Sequence, residues 1–341
     1  MYEVEDLGRG PNDVHYRQLV FDETVNGQPI AVPLLTLTGG GPGPTMFLLA
    51  GQHALELNGP LAVQRLLAQV SPTELRGRIL AVPLANPAGF VLGSSVYPPR
   101  GPAWSMSLHW PEGGPAYPQD QSANMNRLWP GKPNGSVPEK IAHALWTEAA
   151  RFADFALDLH CHDYWNSEVV ILEAWHGPSL AFGRALGCRV NHRSHGAPHM
   201  FAGFMAGRGV PVAAMELVPI YLVNQASVAE GVRMLKNALR YARMLPGTPD
   251  MPEVAYEFGY DAEKLVVCEA TGMVSFLRAS GEEVEAGEVL AEVFDPWSFR
   301  LVQRVVAPFD CLVSRAAWNS YTRAGWPLCK VVDLTVARRS T

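Results

Sequence analysis

The chain has 341 residues, a formal net charge of −6 and 48% hydrophobic residues, a composition typical of a globular protein. No block of Lys or Arg stands out, so nucleic-acid binding, which needs basic side chains to neutralise phosphates, is not expected. No apolar run approaches the roughly 18 residues that suggest a membrane span, so a membrane partner is not expected either. At this length we expect one large domain and a smaller one.

The five cysteines are widely spaced and form no C-x-x-C pair: Cys161, Cys188, Cys268, Cys311 and Cys329. An odd number at such spacing predicts buried thiols in a reducing compartment, not a disulfide framework. The first residues, MYEVEDLGRGPND, are acidic and polar, whereas a signal peptide is basic and then apolar. These features together predict a cytoplasmic protein.

The first third of the chain predicts a hairpin followed by alternating strands and helices. Residues 14–38 alternate apolar and polar around Gly27, which predicts two paired strands. The apolar run TMFLLAG at 45–51 is typical of a buried central strand, and a helical pattern follows at 59–70. A second buried strand is predicted within 76–87. The succession of strand, helix and strand predicts an α/β core with a mostly parallel sheet.

Residues 93–135 interrupt this pattern with many Gly and Pro and little periodicity, and a loop of this length is usually functional or mobile. The elements predicted after it are a helix over 138–152, a strand over 153–160, a helix over 178–187, a strand over 210–218 and a helix over 226–245. From 264 to 336 short strands with Gly turns predict a small all-β module. We therefore predict two domains, 1–250 and 251–341.

Polar residues with metal-binding chemistry follow two of the predicted core strands. His53 and Glu56 come directly after TMFLLAG, and His160 ends the strand in ALDLHCHD. Because open α/β folds place ligands at the carboxyl edge of the sheet, these three side chains could form a His₂Glu zinc site with a position left for water. Asp158 could orient one of the ligands. Taken alone, the pair His53 and Glu56 is equally compatible with a polar strand end, and the H-C-H sequence at 160–162 is more typical of a surface or satisfied histidine pair.

Two further motifs carry candidate catalytic and substrate-binding residues. Glu216 follows four apolar residues in AAMELV, and such a carboxylate is either paired or functional. Beside a metal it could act as a general base. In NMNRLWPG, Arg127 could present a planar fork to a carboxylate, with Asn126 beside it. A surface arginine is the alternative interpretation.

Taken together, the motifs resemble the succinylglutamate desuccinylase/aspartoacylase family of the zinc carboxypeptidase superfamily, over nearly the whole chain. The motifs are G-x-H-x-x-E-x-N-G at 51–59, Asn86-Pro87, N-R-x-x-P-G at 126–131, D-L-H at 158–160, G-V-P-V-A-A-M-E at 209–216, and the C-terminal segments GEEVEAGEVLAEVFD and VVAPFDCLV.

The resemblance implies a carboxypeptidase-like mixed sheet flanked by helices, followed by a barrel-sandwich-like C-terminal β domain. It also implies one zinc ion per chain, Zn²⁺, and hydrolysis of the amide bond of an N-acyl amino acid or a similar small N-acyl amine. By matching motif, the implied zinc ligands are His53, Glu56 and His160, the implied base is Glu216, and the implied residues that bind the substrate carboxylate are Asn126 and Arg127. His162 is a further candidate for the substrate pocket.

Three departures from the family pattern concern the substrate. Ser95 stands where the family has an arginine that helps polarise the carbonyl, and Arg100 is a candidate replacement. Asn124 stands where the family has an acidic residue. The loop at 99–122 is expanded and rich in large apolar side chains, namely Trp104, Met106, Leu108, Trp110 and Tyr117. These side chains either pack among themselves or form an apolar entrance, which would favour hydrophobic N-acyl compounds over N-acetylaspartate.

Several alternatives remain at this point. His195 and His199 could form a second metal pair, but the Gly and Pro of HRSHGAPH argue against a helix there. The β module resembles lipoyl or biotinyl carriers, but its turns EVEAG and PFDCL lack the lysine that a carrier needs. A metallocarboxypeptidase and a zinc esterase use the same chemistry and stay open, as does a homo-oligomeric assembly.

Overall fold

The computed structural model describes residues 1–96, 123–162, 167–316 and 321–340. Residues 338–340 are described by their backbone alone. The strands of the large sheet are β1 (Tyr2–Arg9), β2 (His15–Val25), β3 (Gln28–Thr38), β4 (Gly41–Ala50), β5 (Arg76–Val82), β6 (Phe155–Cys161), β7 (Val169–Glu173), β8 (Val190–Ser194), β9 (Val212–Leu217), β10 (Val254–Gly259) and β19 (Arg338–Ser340). Within the described residues their spatial order is β1-β2-β3-β5-β4-β6-β9-β7-β8-β10-β19.

The sheet is mixed, as the family resemblance implies, and the prediction of a mostly parallel sheet is wrong. Strands β5, β4, β6 and β9 run parallel to one another, but β3 pairs antiparallel with β5, and β7 pairs antiparallel with β9. Next to the edge strand β1, strands β2 and β3 form the predicted hairpin, whose turn places Asn26 and Gly27 at φ 49° and 75°. Two successive positive φ values match the right-handed twist of the paired strands. A tight turn between two consecutive strands makes them antiparallel, and this turn therefore accounts for the β2–β3 pair.

The helices cover both faces of this sheet. They are α1 (Asn58–Gln69), α2 (Pro87–Val91), α3 (Val137–Glu148), α4 (Gly177–Ala185), α5 (Phe201–Ala206), α6 (Gln225–Tyr241) and α7 (Leu334–Ala337). On β4, Met46 and Leu48 face the core beneath α1, α4 and α6, whereas Phe47 and Leu49 face the core beneath α3 and α5. Since side chains alternate across a strand, the continuous apolar run of β4 is the pattern of a strand buried on both faces.

Capping residues begin two of the predicted helices. Before α3, the Ser136 backbone N–H donates to the Glu139 carboxylate in a capping box, and Pro138 lies in the first turn, where a missing N–H costs nothing. Before α6, the Asn224 side chain accepts from the backbone N–H groups of Ala226 and Ser227. The predicted helices around 59–70, 138–152, 178–187 and 226–245 are confirmed.

The C-terminal part contains two four-stranded sheets among the described residues. Their strands are β11 (Lys264–Val267), β12 (Gly272–Phe276), β13 (Glu283–Val284), β14 (Val289–Phe294), β15 (Leu301–Val306), β16 (Cys311–Ala316), β17 (Tyr321–Thr322) and β18 (Pro327–Asp333). Leu312 and Val332 of this module pack with Tyr256 and Phe258 of β10, which belongs to the large sheet. The predicted boundary near residue 250 stays a prediction.

All five cysteines are buried and unpaired, as predicted. Burial raises the pKa of the Cys161 thiol well above its ordinary value and that of Cys188 to about 12. Both thiols therefore stay protonated at neutral pH and behave as small apolar side chains. None of the helices in the described parts of the chain combines the length and apolar character needed to cross a membrane.

Candidate metal centre and active site

Two neighbouring parallel strands bring three potential metal ligands to one edge of the sheet. Residues Ala50 of β4 and Leu159 of β6 are register partners, so the chain leaving β4 and the end of β6 lie side by side. Gly51 turns the chain out of β4 with φ 65°, at a point where a side-chain Cβ would lie 3.0 Å from the Leu84 backbone. The turn that follows carries His53 and Glu56 towards His160.

His53, Glu56 and His160 form a buried cluster whose nitrogen and oxygen atoms lie within 4.8 Å of one another. His53 Nδ1 is 2.9 Å from Glu56 Oε1, and His160 Nδ1 is 3.0 Å from Glu56 Oε2. The Cys161 backbone N–H also donates to Glu56 Oε2 at 2.9 Å. Two imidazoles and a carboxylate are a donor set that suits zinc.

The hydrogen bonds around His53 point to a cation between the ligands. Asn124 Oδ1 accepts from the Asn126 backbone N–H at 3.0 Å, which identifies it as the oxygen of that amide. This oxygen lies 3.1 Å from His53 Nε2, so Nε2 is the ring nitrogen placed to donate to it. The other ring nitrogen, Nδ1, faces the Glu56 carboxylate, and a metal ion held there would be bound by both groups. The residues therefore fit a metal.

His160 is held by a buried chain of polar side chains. Its Nε2 lies 3.0 Å from Asp158 Oδ2, whose other oxygen accepts from Gln52 Nε2 at 2.8 Å. The Trp129 indole N–H donates in turn to Gln52 Oε1 at 2.8 Å. Burial alone would lower the pKa of His160, but the Asp158 and Glu56 carboxylates raise it well above its ordinary value. The pocket around this imidazole therefore favours positive charge.

Glu216 lies opposite His160 in the register of β6 and β9. The residue is half-buried, but its Oε2 atom is shielded from solvent and has no hydrogen-bond partner among the described residues. Burial raises the pKa of Glu216 to about 7, a shift that His160 opposes and the Glu56 carboxylate increases. A carboxylate with this pKa can both take up and return a proton near neutral pH.

The motif at 124–127 packs against the same imidazoles. Residues Met125–Arg127 form a single helical turn that Asn124 caps. Asn126 Oδ1 accepts from the Phe201 backbone N–H, which directs its Nδ2 to within 3.1 Å of His160 Nε2. The half-buried Arg127 side chain donates to the Asn126 carbonyl at 2.7 Å and lines the cavity beside the cluster.

These residues surround a cavity of about 370 Å³. Its lining includes the buried His162, and Arg127 is the only Lys or Arg among its described lining residues. The Ser95 carbonyl accepts from the Ala54 backbone N–H at 3.0 Å, so Ser95 supports the turn that carries His53. The candidate replacement Arg100 and the loop at 99–122 lie outside the described residues.

Comparison with known proteins assigns the family. Residues 42–242 match the family model described as the succinylglutamate desuccinylase/aspartoacylase catalytic domain. The chain belongs to this family. It is a family of deacylases, which hydrolyse amides.

Several known proteins resemble the chain over most of its length. It is 27% identical over 310 residues to the N-alpha-acetyl-L-2,4-diaminobutyric acid deacetylase of Halomonas elongata, covering 86% of this chain and 81% of that protein. A succinylglutamate desuccinylase/aspartoacylase structure from Rhodobacter sphaeroides has a TM-score of 0.71 at 21% identity, covering 96% and 95% of the two chains. The product-bound ectoine utilization protein EutE (DoeB) from Ruegeria pomeroyi also has a TM-score of 0.71, at 23% identity, covering 96% and 98%. These two structures show the shared fold.

Within this family fold, Glu173 and Tyr260 are among the cavity-lining residues that the sequence did not predict. Glu173 ends the apolar run of β7, the same pattern that singled out Glu216, so the run VVIL followed by Glu could have identified it. Tyr260 comes from the predicted C-terminal domain, and its ring packs 4.0 Å from that of His192. No sequence pattern placed Tyr260 near the cavity, because its approach depends on the path of β10.

Proposed function

We propose that the chain is a zinc-dependent hydrolase that cleaves the amide bond of an N-acyl amino acid. The observation that carries this proposal is the juxtaposition of the buried His₂Glu cluster with Glu216, whose Oε2 lacks a partner among the described residues. The family assignment and the deacetylase named among the relatives agree with amide hydrolysis.

The proposed ligands are His53, Glu56 and His160. These residues would hold the zinc ion, and the chemistry supplied by a bound zinc would be a lowered pKa of water and stabilisation of negative charge on the substrate carbonyl oxygen. We assign proton transfer to Glu216, which takes the proton from the water and returns it to the leaving amine nitrogen. Asp158, held by Gln52, orients the His160 ring.

Arg127 and Asn126 are the proposed binding site for the α-carboxylate of the substrate. A guanidinium forms two parallel hydrogen bonds to a carboxylate, which fixes both its position and its orientation. This assignment places the free carboxylate on one side of the metal cluster and the scissile amide between the cluster and Glu216. His162 is proposed as a further contact of the substrate in the same cavity.

The test is a panel of N-acyl amino acids assayed with the purified protein, with its metal content measured in parallel. We expect hydrolysis of at least one N-acyl amino acid by protein that contains about one zinc per chain. Peptides with a free C-terminus and simple esters belong in the same panel. Faster turnover of peptides would identify a metallocarboxypeptidase, and hydrolysis confined to esters would identify an esterase.

The panel also tests the loop at 99–122. If its apolar side chains form the entrance, hydrophobic N-acyl compounds will be better substrates than N-acetylaspartate or succinylglutamate. A preference for these small dicarboxylates would contradict that prediction. The cytoplasmic location and a homo-oligomeric state also stay predictions.

A further inference from the structure

A row of three side chains crosses the large sheet beside the cavity. Ala214 of β9 and Ile171 of β7 are register partners, and Ile171 pairs in turn with His192 of β8. Register partners point to the same face of a sheet, so these side chains form one continuous strip. Ala214 and Ile171 line the cavity, as does Glu216, two residues further along β9. The first two members of the row are therefore an apolar floor that begins beside the proposed proton-transfer group.

The Tyr260 ring covers the third position of this row. Tyr260 follows directly after β10, which pairs with β8. Its ring centroid lies 4.0 Å from that of His192, and Tyr260 lines the same cavity. His192 itself is fully buried and is not among the described lining residues. The floor of Ala214 and Ile171 therefore ends at the Tyr260 ring, over the second strand from β9, at a backbone distance of roughly 10 Å.

Buried polar groups of the C-terminal module hold the Tyr260 ring in place. The Arg315 guanidinium carbon lies 5.2 Å from the ring centroid, within the range of a cation–π contact. Arg315 is 3% exposed, and its Nε donates to Glu263 Oε1 at 2.8 Å. Lys330 Nζ donates to the other oxygen of Glu263 at 3.1 Å. Because this buried ion pair fixes the guanidinium, the ring cannot swing aside without losing its contacts with both Arg315 and His192.

The acyl group of the substrate is the part that meets this ring. A trans amide places its acyl and amine substituents on opposite sides of the scissile bond. With the α-carboxylate of the amine part held by Asn126 and Arg127 beside His160, the acyl group extends past Glu216 over the apolar floor. We propose that the Tyr260 ring limits the length of the acyl group that the enzyme accepts. This inference rests on the proposed function.

The limit concerns the acyl end of the substrate only. A short acyl group on a hydrophobic amino acid satisfies both this limit and the apolar entrance predicted for the loop at 99–122. The ring belongs to the segment that joins β10 to the C-terminal module, so the module takes part in selecting the substrate although it carries none of the proposed metal ligands.

Substrates with acyl groups of different length test the proposal. The Nα-acetyl and Nα-hexanoyl derivatives of the amino acid turned over fastest in the panel differ in acyl length by roughly 5 Å. For the zinc-loaded wild-type enzyme we expect a lower kcat/KM with the hexanoyl derivative. In Tyr260→Ala the ratio of hexanoyl to acetyl kcat/KM should rise about 10- to 100-fold, because methylenes forced against a fixed side chain are costly. Binding of the hexanoyl derivative to the metal-free protein, measured by calorimetry, should tighten in the same variant.

Three further variants serve as controls. Tyr260→Phe keeps the ring and should keep the wild-type ratio. Trp297→Ala removes an exposed aromatic ring of the same module that is not among the described lining residues, and it should also keep the ratio. Tyr260→Trp enlarges the ring and should lower the ratio, and it decides the matter should Tyr260→Ala fail to fold.

The proposal is overturned if the wild-type enzyme hydrolyses both derivatives equally well, or if Tyr260→Ala leaves the ratio and the binding of the hexanoyl derivative unchanged. A ratio that rises in Tyr260→Phe as it does in Tyr260→Ala would assign the selectivity to the hydroxyl group and overturn the role of the ring. Absence of hydrolysis with every N-acyl amino acid would instead refute the proposed function.

Discussion

Replacing Glu216 with Gln should abolish most turnover and, at the same time, stabilise the metal-free protein. The loss of turnover follows from the proposed role in proton transfer, since removal of a general base typically costs about 10²- to 10⁴-fold in rate. Metal content should stay unchanged, because Glu216 is not one of the three residues of the cluster. The metal-free variant should be more stable because glutamine is neutral, whereas Glu216 buries a negative charge when it is ionised.

The magnitude comes from the pKa of Glu216, which burial raises from 4.5 to about 7. A carboxyl group whose folded-state pKa lies above its unfolded-state value loses stability as the pH rises from 4.5 through 7. Each unit of difference corresponds to about 1.36 kcal/mol. An ionised Glu216 therefore costs about 3 kcal/mol at pH 8.5, and a neutral glutamine does not carry this cost.

Urea unfolding of chelated wild-type and Glu216→Gln proteins measures this difference. The free energy of unfolding gained by the variant should be about 2 kcal/mol larger at pH 8.5 than at pH 5.5, because the carboxyl is mostly protonated in the folded state at the lower pH. Turnover is measured on the same proteins after they are reloaded with zinc. A variant with no pH-dependent gain would refute the buried charge, and near-normal turnover would remove Glu216 from the mechanism.

Three further predictions concern the metal, the substrate carboxylate and the buried polar chain. Purified protein should contain about one zinc per chain by elemental analysis. The variant His160→Ala should lose this zinc, whereas His195→Ala should retain it. Zinc retained in His160→Ala would exclude the proposed site. Arg127→Ala should lower kcat/KM for substrates with a free α-carboxylate, by an amount that corresponds to a loss of about 2–5 kcal/mol in transition-state binding. An equal loss with amidated substrates would contradict carboxylate recognition. Trp129→Phe removes the hydrogen-bond donor to the buried Gln52 Oε1. It should lower the free energy of unfolding, measured in urea, by about 1–3 kcal/mol. An unchanged midpoint and slope of the urea transition would show that Gln52 finds another partner.

The sequence by itself identified the strands that carry the site. Long apolar runs that end in polar residues predicted β4, β6 and β9, and the residues at their ends included His53, His160 and Glu216. Because both the burial of a strand and its termination are encoded within a few residues, this information is local. The same holds for α3 and α6, whose capping residues precede their apolar patterns.

Only the tertiary structure decided which polar residues meet. Gln52 and Trp129 are separated by 77 positions in the sequence, yet the hydrogen bond between them is part of the buried network that holds His160. The antiparallel pairing of β7 with β9 put Glu173 on the same face as Glu216, and no periodicity in the sequence encodes the direction or the neighbour of a strand. Strand order results from packing both faces of the sheet against the helices, which is a property of the whole chain. The ligands of the proposed metal site were therefore predictable from their own segments, whereas their supporting contacts and the second carboxylate of the cavity were not.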